Sequence, residues 1–389
     1  MPAWPSERSN RVRRNRARVH GQTEVTAMSA DADRHSQARN STILGTATAV
    51  PEHCFDQDSV KRQLRPLLPV PAHRIDAVMS LFDNAMVKRR FSVLPLEQLS
   101  VPRSLTETMA LYRDSAVRLG RTVAADCLAG AGVSARAVDL VITLSCTGFM
   151  IPSLDAHLAQ DLGFRPDVRR LPITELGCVA GAAAMARAHD FLRGHPDAHV
   201  LIVAVELPTL SFQRHDASTA QLVSTALFGD GAAAVLLTGR RAGPGVALLD
   251  AESHLFPNSL DLLGFDLRDD GLHVVLAKEL PETLRASFGA VVDRLLARVG
   301  IGRADLQCCV FHPGGKRILL AIEEAMGLDR AQTQPSWDVL REYGNLSSAA
   351  VLFVLERWMK QHRPRPGAYG LLGALGPGLS TELCLLQWN

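Results

Sequence analysis

The chain has 389 residues, a formal net charge of +2, and a composition that is 47% hydrophobic but only 5% aromatic. That length can bury a large core and suits either two domains or one large duplicated one. The near-neutral balance argues against nucleic acid or a strongly acidic partner, and no run of 18 apolar residues offers a membrane-spanning helix.

Seven cysteines lie at irregular spacings without CxxC pairs, so neither a disulfide framework nor a metal site is expected. Reduced thiols fit a cytoplasmic setting. Residues 1–40 carry eight Arg, no Lys and no signal-peptide core, and read as a disordered Arg-rich extension with Met28 as a candidate later start. The chain as a whole has 37 Arg against 5 Lys, which we read as coding bias.

Order is expected from an apolar strand over 41–51, followed by helical spacing over 57–91. A long amphipathic helix over 105–132 ends in glycines. Then come a strand at 138–146, a helix near 153–163, a short strand at 170–175 and a helix opening at Cys178. Buried strands follow at 198–207 and 231–239, and Gly243-Pro244-Gly245 marks a seam. The seam divides the ordered chain into halves 41–242 and 243–389. The second half reads as strand 246–255, helix 280–299, strand 306–312, helix 315–326, helix 345–361, and strands 368–375 and 380–388. Alternating strands and helices with crossover lengths predict an α/β fold with parallel-rich sheets covered by helices. Two stacked halves give a five-layer αβαβα body. The Ala- and Gly-rich Cys178 helix is expected at its doubly buried centre.

Two stretches repeat one pattern. The first runs from Cys146 to Gly177-Cys178, the second from His312 to Gly344-Asn345, with offsets of 32 and 33 residues. Each reads strand, turn, helix, short strand, then a Gly and a polar residue opening an apolar helix. Packing on a pseudo-twofold axis would bring Cys178, His312 and Asn345 into one pocket. That set suits nucleophilic acyl transfer with carbanion stabilisation. Cys178 on a first helical turn, near an imidazole, is expected to have a depressed thiol pKa. His312 ends a strand before Pro313 and two glycines, which let the backbone pass close to a ligand. Asn345 offers a neutral N–H donor. The plain alternatives are a core cysteine, a strand-end histidine bonded to a carbonyl, and an asparagine N-cap.

The motifs LGCVAGAAA (176–184), ALFGDGAAAVLL (226–237), FHPGGKRIL (311–319) and YGNLSSAAVLFVLE (343–356) resemble those of the type III polyketide synthases, the chalcone-synthase-like branch of the thiolase fold. The resemblance covers roughly residues 41–389. It implies duplicated βαβαβαββ halves and a homodimer. It also implies Cys178 as nucleophile, His312 as its partner, and His312 with Asn345 as donors to a malonyl thioester. Acyl-CoA and malonyl-CoA would be the substrates, with an acyl carrier protein as the other candidate donor and no metal or redox cofactor.

The resemblance also makes Phe228 a gatekeeper between CoA tunnel and cavity, and Leu272 a second gatekeeper that has lost its aromatic ring. Ser211, Ser347, Cys146 and the adjoining Thr147 would line the cavity. Ile151 would cross the dimer interface, and GALGPGLSTEL (373–383) would scaffold the site, with Ala374 and Leu375 in place of Gly and Phe. The family's CoA-phosphate positions fall on Ala77, Ser80 and Asn84, so Arg74, Lys88 and Arg89 become the substitute candidates, beside Arg90. Leu272 and the LDLLGFDL stretch (260–267) resemble bacterial makers of alkylpyrones and alkylresorcinols, which implies a fatty acyl starter. The competing readings are a β-ketoacyl synthase making one condensation and a non-catalytic thiolase-fold paralogue.

Overall fold

The computed structural model describes residues 40–213, 215–240, 245–269 and 271–389. The basic extension up to residue 39, and Gly243-Pro244 of the expected seam, lie outside the described residues.

The strands in chain order are β1 (Ser41–Ala49), β2 (His53–Asp56), β3 (Arg89–Ser92), β4 (Leu140–Leu144), β5 (Arg169–Ile173), β6 (His199–Glu206), β7 (Gly231–Thr238), β8 (Val246–Leu255), β9 (Leu263–Arg268), β10 (Gly271–Leu276), β11 (Leu306–Phe311), β12 (Tyr369–Gly376) and β13 (Ser380–Trp388). Nine of them form one sheet in the order β11-β12-β13-β8-β1-β7-β6-β4-β5. Strand β1 is antiparallel to β7 from Thr42 to Ala49, but meets β8 only over Ser41–Ile43. The two halves of the sheet are therefore joined at one end of β1, with helices filling the space between them.

Those helices are α5 (Ala180–Gly194) and α10 (Ala350–Arg357). Helix α5 packs on β4 and β6 on one side and on β8, β12 and β13 on the other. Its run Ala180–Ala186 is wholly buried, because small side chains let sheets and helix approach from every direction. Outside the first half lies α3 (Leu105–Ala131), against β1, β6 and β7. Ser104 and Glu107 close its N-terminus in a reciprocal capping box, and Gly132 ends it at φ 66°. Outside the second half lies α7 (Leu280–Val299), with α8 (Lys316–Met326) packed on it. Helix–sheet–helix–sheet–helix layering follows, as expected from the sequence.

Three local expectations fail. The sheet is mixed, not parallel-rich. Only β4–β5, β4–β6 and β11–β12 run parallel, because β1 inserts antiparallel between β7 and β8, and β12 turns directly into β13. The region 57–91 is not one helical stretch. It breaks into α1 (Gln57–Leu64) and α2 (Ile75–Asn84) and ends as β3, paired with β2. The second repeat has no short strand before Gly344. Its place is taken by helix α9 (Arg330–Tyr343), opened by a capping box of Asp329 with Gln332. Two further helices are α4 (Leu154–Asp161) and α6 (Thr219–Leu227). Of these, α6 and the β9–β10 hairpin were not foreseen.

Candidate active site

Both repeats place a positive-φ glycine before the polar residue. Gly177 (φ 57°) opens the 3-10 turn Gly177–Val179 that carries Cys178, and Gly344 (φ 76°) precedes Asn345 and the 3-10 turn Ser347–Ala349; each turn leads into a central helix. At Gly177 a Cβ would lie 2.6 Å from Pro377, and at Gly344 it would lie 2.4 Å from the Leu227 carbonyl oxygen. Glycine is required at both positions by conformation and by space. The first contact also brings the GALGPGLSTEL loop against the Cys178 turn.

Cys178, His312 and Asn345 line one cavity. Apolar side chains make up most of its remaining wall, among them Leu263, Phe265, Val274 and Ile318. The His312 ring is buried with its Nδ1 unpartnered among the described residues, and a Cβ on Gly314 would meet the ring edge at 3.4 Å from Cδ2 and 3.5 Å from Nε2. Asn345 is fixed from several directions. Its N–H donates to the Leu227 oxygen (2.8 Å), and its Oδ1 accepts the Ser347 N–H (2.8 Å). The carboxamide is thereby turned so that Nδ2 faces the Gly314 side of the cavity, 3.4 Å from the Gly314 oxygen.

Ser347 is the pivot behind the nucleophile. Held at φ 47°, it places Oγ 3.4 Å from Cys178 Sγ and 3.1 Å from Cys146 Sγ. Cys146 in turn contacts Glu206, whose carboxylate accepts the Cys146 N–H (3.1 Å) and the Thr147 hydroxyl (2.7 Å), and also bonds Ser348. Glu206 is fully buried, and burial raises its carboxyl pKa against the lowering effect of these bonds. Cys146 therefore sits one hydroxyl away from Cys178, outside the lining of the main cavity. Glu206 was missed by sequence reasoning. Its only signal is a lone acid closing the apolar run AHVLIVAVEL.

The expected depression of the Cys178 thiol is not found. Burial pushes it up to about 12, the Ser347 bond opposes that shift, and the Glu206 charge adds to it. Burial likewise pushes His312 down to about 4. For each group taken singly, burial disfavours the charged form. Their mutual attraction operates only when both ionise together.

Phe228 lines this cavity and also a second one, which is walled by Val60, Leu64, Leu99, Pro208 and Phe212. Val274 also lines both; Leu272, the expected second gatekeeper, lines neither. Leu272 belongs to a third cavity shared with Thr147 and Ser211, and Ser211 also reaches the second. Leu272 and Val274 share one face of β10, so the difference is two residues along the strand. The Phe228 turn is held by Arg90, which donates to the Phe228 oxygen (3.0 Å) and to the Thr225 and Ala226 oxygens. Arg90 is thus part of the scaffold.

Arg74, Lys88 and Arg89 line none of these cavities. Arg89 faces Glu342 at 3.8 Å. Ile151 is 83% exposed, with Phe149 exposed beside it. The described residues contain no cluster able to hold a metal ion and no helix long and apolar enough to cross a membrane.

With this geometry, comparison with known proteins is decisive about class. Residues 29–241 match the family described as chalcone and stilbene synthases, N-terminal domain, and residues 247–388 match its C-terminal domain. The chain belongs to the chalcone and stilbene synthase family, the type III polyketide synthases, which are condensing acyltransferases. Among its relatives, 1,3,6,8-tetrahydroxynaphthalene synthase of Streptomyces peucetius subsp. caesius is 37% identical, over 94% of this chain and 98% of that one. Phloroglucinol synthase of Pseudomonas fluorescens is 32% identical, over 90% and 99%. The crystal structure of tetrahydroxynaphthalene synthase from Streptomyces coelicolor A3(2) superposes with a TM-score of 0.86 at 34% identity, covering 90% of this chain and 99% of that one.

Proposed function

We propose that the chain carries out iterative decarboxylative condensation of malonyl-CoA onto an aliphatic acyl starter held on Cys178, followed by ring closure to an alkylpyrone or alkylresorcinol. The observation that carries the reading is the convergence of Cys178, His312 and Asn345 on one largely apolar cavity. The Cys178 proton passes to His312 as sulfur attacks the starter thioester, and CoA leaves with that proton. Malonyl-CoA then enters. Its thioester oxygen accepts N–H bonds from neutral His312 and from Asn345, and the bond to its carboxylate breaks. The electron pair left on carbon is delocalised onto that oxygen as CO2 departs. Preorganised donors gain most at such a developing oxyanion. The carbanion attacks the acyl group on Cys178, releasing the thiolate and a β-ketoacyl-CoA two carbons longer. Reloading and repetition build the poly-β-keto chain.

The aliphatic starter is supported by the second chamber beyond Phe228 and Val274, whose walls are largely hydrocarbon. A second reading, a short starter and a small polyphenol product, is favoured by the names of the relatives, which include tetrahydroxynaphthalene and phloroglucinol synthases. Incubation of purified protein with acyl-CoAs of increasing length and labelled malonyl-CoA tests the choice. Labelled alkylpyrones or alkylresorcinols from long-chain starters are expected. Product from malonyl-CoA alone, or only from aromatic starters, overturns the aliphatic reading, and a single two-carbon extension would indicate a ketoacyl synthase.

A further inference from the structure

The surface cleft that opens onto the Cys178 cavity carries a cation set different from the one expected at its rim. It shares Leu227, Leu276, Leu280, Gly314 and Ile318 with the cavity itself. One wall is α2, where Asn84 stands and where the sequence resemblance leads one to expect basic residues. The lining also includes Lys278, Lys316 and Arg317.

This placement is not a by-product of abundance. The chain has only five lysines, and two of them are here. Lys61 pairs with Asp83 and Lys360 with Glu356, whereas Lys316 and Arg317 form no ion pair among the described residues. Lys278 has a single, distant carboxylate neighbour, Glu279, at 3.7 Å. Three separate segments supply the charge and its surroundings: the end of β10, the first turn of α8, and the two-glycine turn after His312. Gly315 precedes α8 without a side-chain cap, so the N–H groups of that turn add to the positive potential. Arg74, Lys88 and Arg89 lie outside the cleft.

We infer that Lys278, Lys316 and Arg317, which lie outside α2, hold the phosphates of the CoA thioesters. The inference rests on the condensing reaction proposed above. A rim of cations over an apolar floor matches a ligand with a polyanionic head and a long, uncharged arm leading to the thioester. Contacts made equally in ground and transition states appear in KM, not in kcat. The phosphates lie away from the reacting carbon, so their loss affects KM.

The test compares malonyl-CoA with malonyl-pantetheine, which lacks the nucleotide and its phosphates, in wild type and in Lys316→Gln/Arg317→Gln and Lys278→Gln variants. Direct CoA binding is followed by calorimetry, so the readout does not depend on condensation. The expected result is a weakening of CoA binding and a rise in the malonyl-CoA KM of about three- to tenfold per charge removed. The malonyl-pantetheine KM is expected to change far less. An Arg74→Ala/Lys88→Ala variant, altered outside the cleft, keeps wild-type CoA affinity. Equal KM changes for both thioesters, or unchanged CoA binding in the glutamine variants, overturns the inference. So does a wild type that accepts a malonyl carrier protein but does not bind CoA. Normal CoA binding with no condensation of either thioester would instead count against the condensing reaction while leaving the cation assignment standing.

Discussion

Replacing Ser347 with alanine removes the one hydroxyl in contact with both buried thiols, at 3.4 Å from Cys178 and 3.1 Å from Cys146. Alanine meets the same left-handed backbone as serine, so the change isolates the hydroxyl. When Cys178 ionises, the hydroxyl proton can turn to the thiolate while Cys146 S–H donates to the hydroxyl oxygen. A hydrogen bond to a charged group contributes about 1.5–3 kcal/mol, which corresponds to about one to two pKa units. The Cys178 thiol, already at about 12 through burial, then rises further. Because the thiolate is the reactive form, alkylation by iodoacetamide at fixed pH slows by about 10- to 100-fold. The assay follows the Cys178 peptide by mass spectrometry, since exposed Cys54 also reacts. An alkylation rate at Cys178 within about twofold of wild type, in a variant with unchanged circular dichroism, refutes the reasoning.

His312 stays a neutral donor well below pH 7, because burial holds its pKa near 4. Malonyl-CoA decarboxylation therefore shows no inflection from this group between pH 8 and 5. The stability linkage has the matching sign: with the folded pKa below the unfolded one, the contribution is complete above about 6.5 and is lost as pH falls toward 4. Denaturant melts of wild type against His312→Gln measure it, with wild type losing up to about 3 kcal/mol relative to the variant. Asn345→Ala removes a donor to the forming enolate and should lower decarboxylation by about 10²–10³, leaving acylation of Cys178 far less affected; equal losses in both steps would contradict its assignment. Val274→Phe narrows the passage beside Phe228, so kcat/KM for long-chain starters should fall by more than about tenfold while short starters are spared. A length-independent loss in that variant would show that the second chamber does not receive the chain.

The parts of the fold legible in the sequence were those fixed by local physics. Helix 280–299 is bounded by Pro281 at one end and Gly300, at φ 74°, at the other. The buried strands at 198–207 and 231–239, AHVLIVAVEL and GAAAVLLTG, announce themselves by apolar composition. Helix α9 was not legible, because Pro335 and a polar stretch argue against a helix. It forms because Trp337 packs under Arg330 and donates to Glu323, and Val339 and Leu340 are buried in the core. The site triad could be paired from the repeat, since both junctions set a positive-φ glycine before the polar residue. The thiol's ionisation could not, because desolvation depends on how deeply the sulfur is buried. Nor could the cleft cations, which lie 38 residues apart and meet only where β10 and the turn after His312 converge. The shift from Leu272 to Val274 is a matter of register, which motif matching leaves open by two residues on one strand face.

Peptide mass spectrometry of the protein after brief exposure to an acyl-CoA, without malonyl-CoA, tests the central claim most directly. One acyl group on Cys178, absent from Cys178→Ala, is the predicted result. An acyl group on Cys146 instead, or no covalent adduct in a protein that still condenses malonyl-CoA, would contradict it.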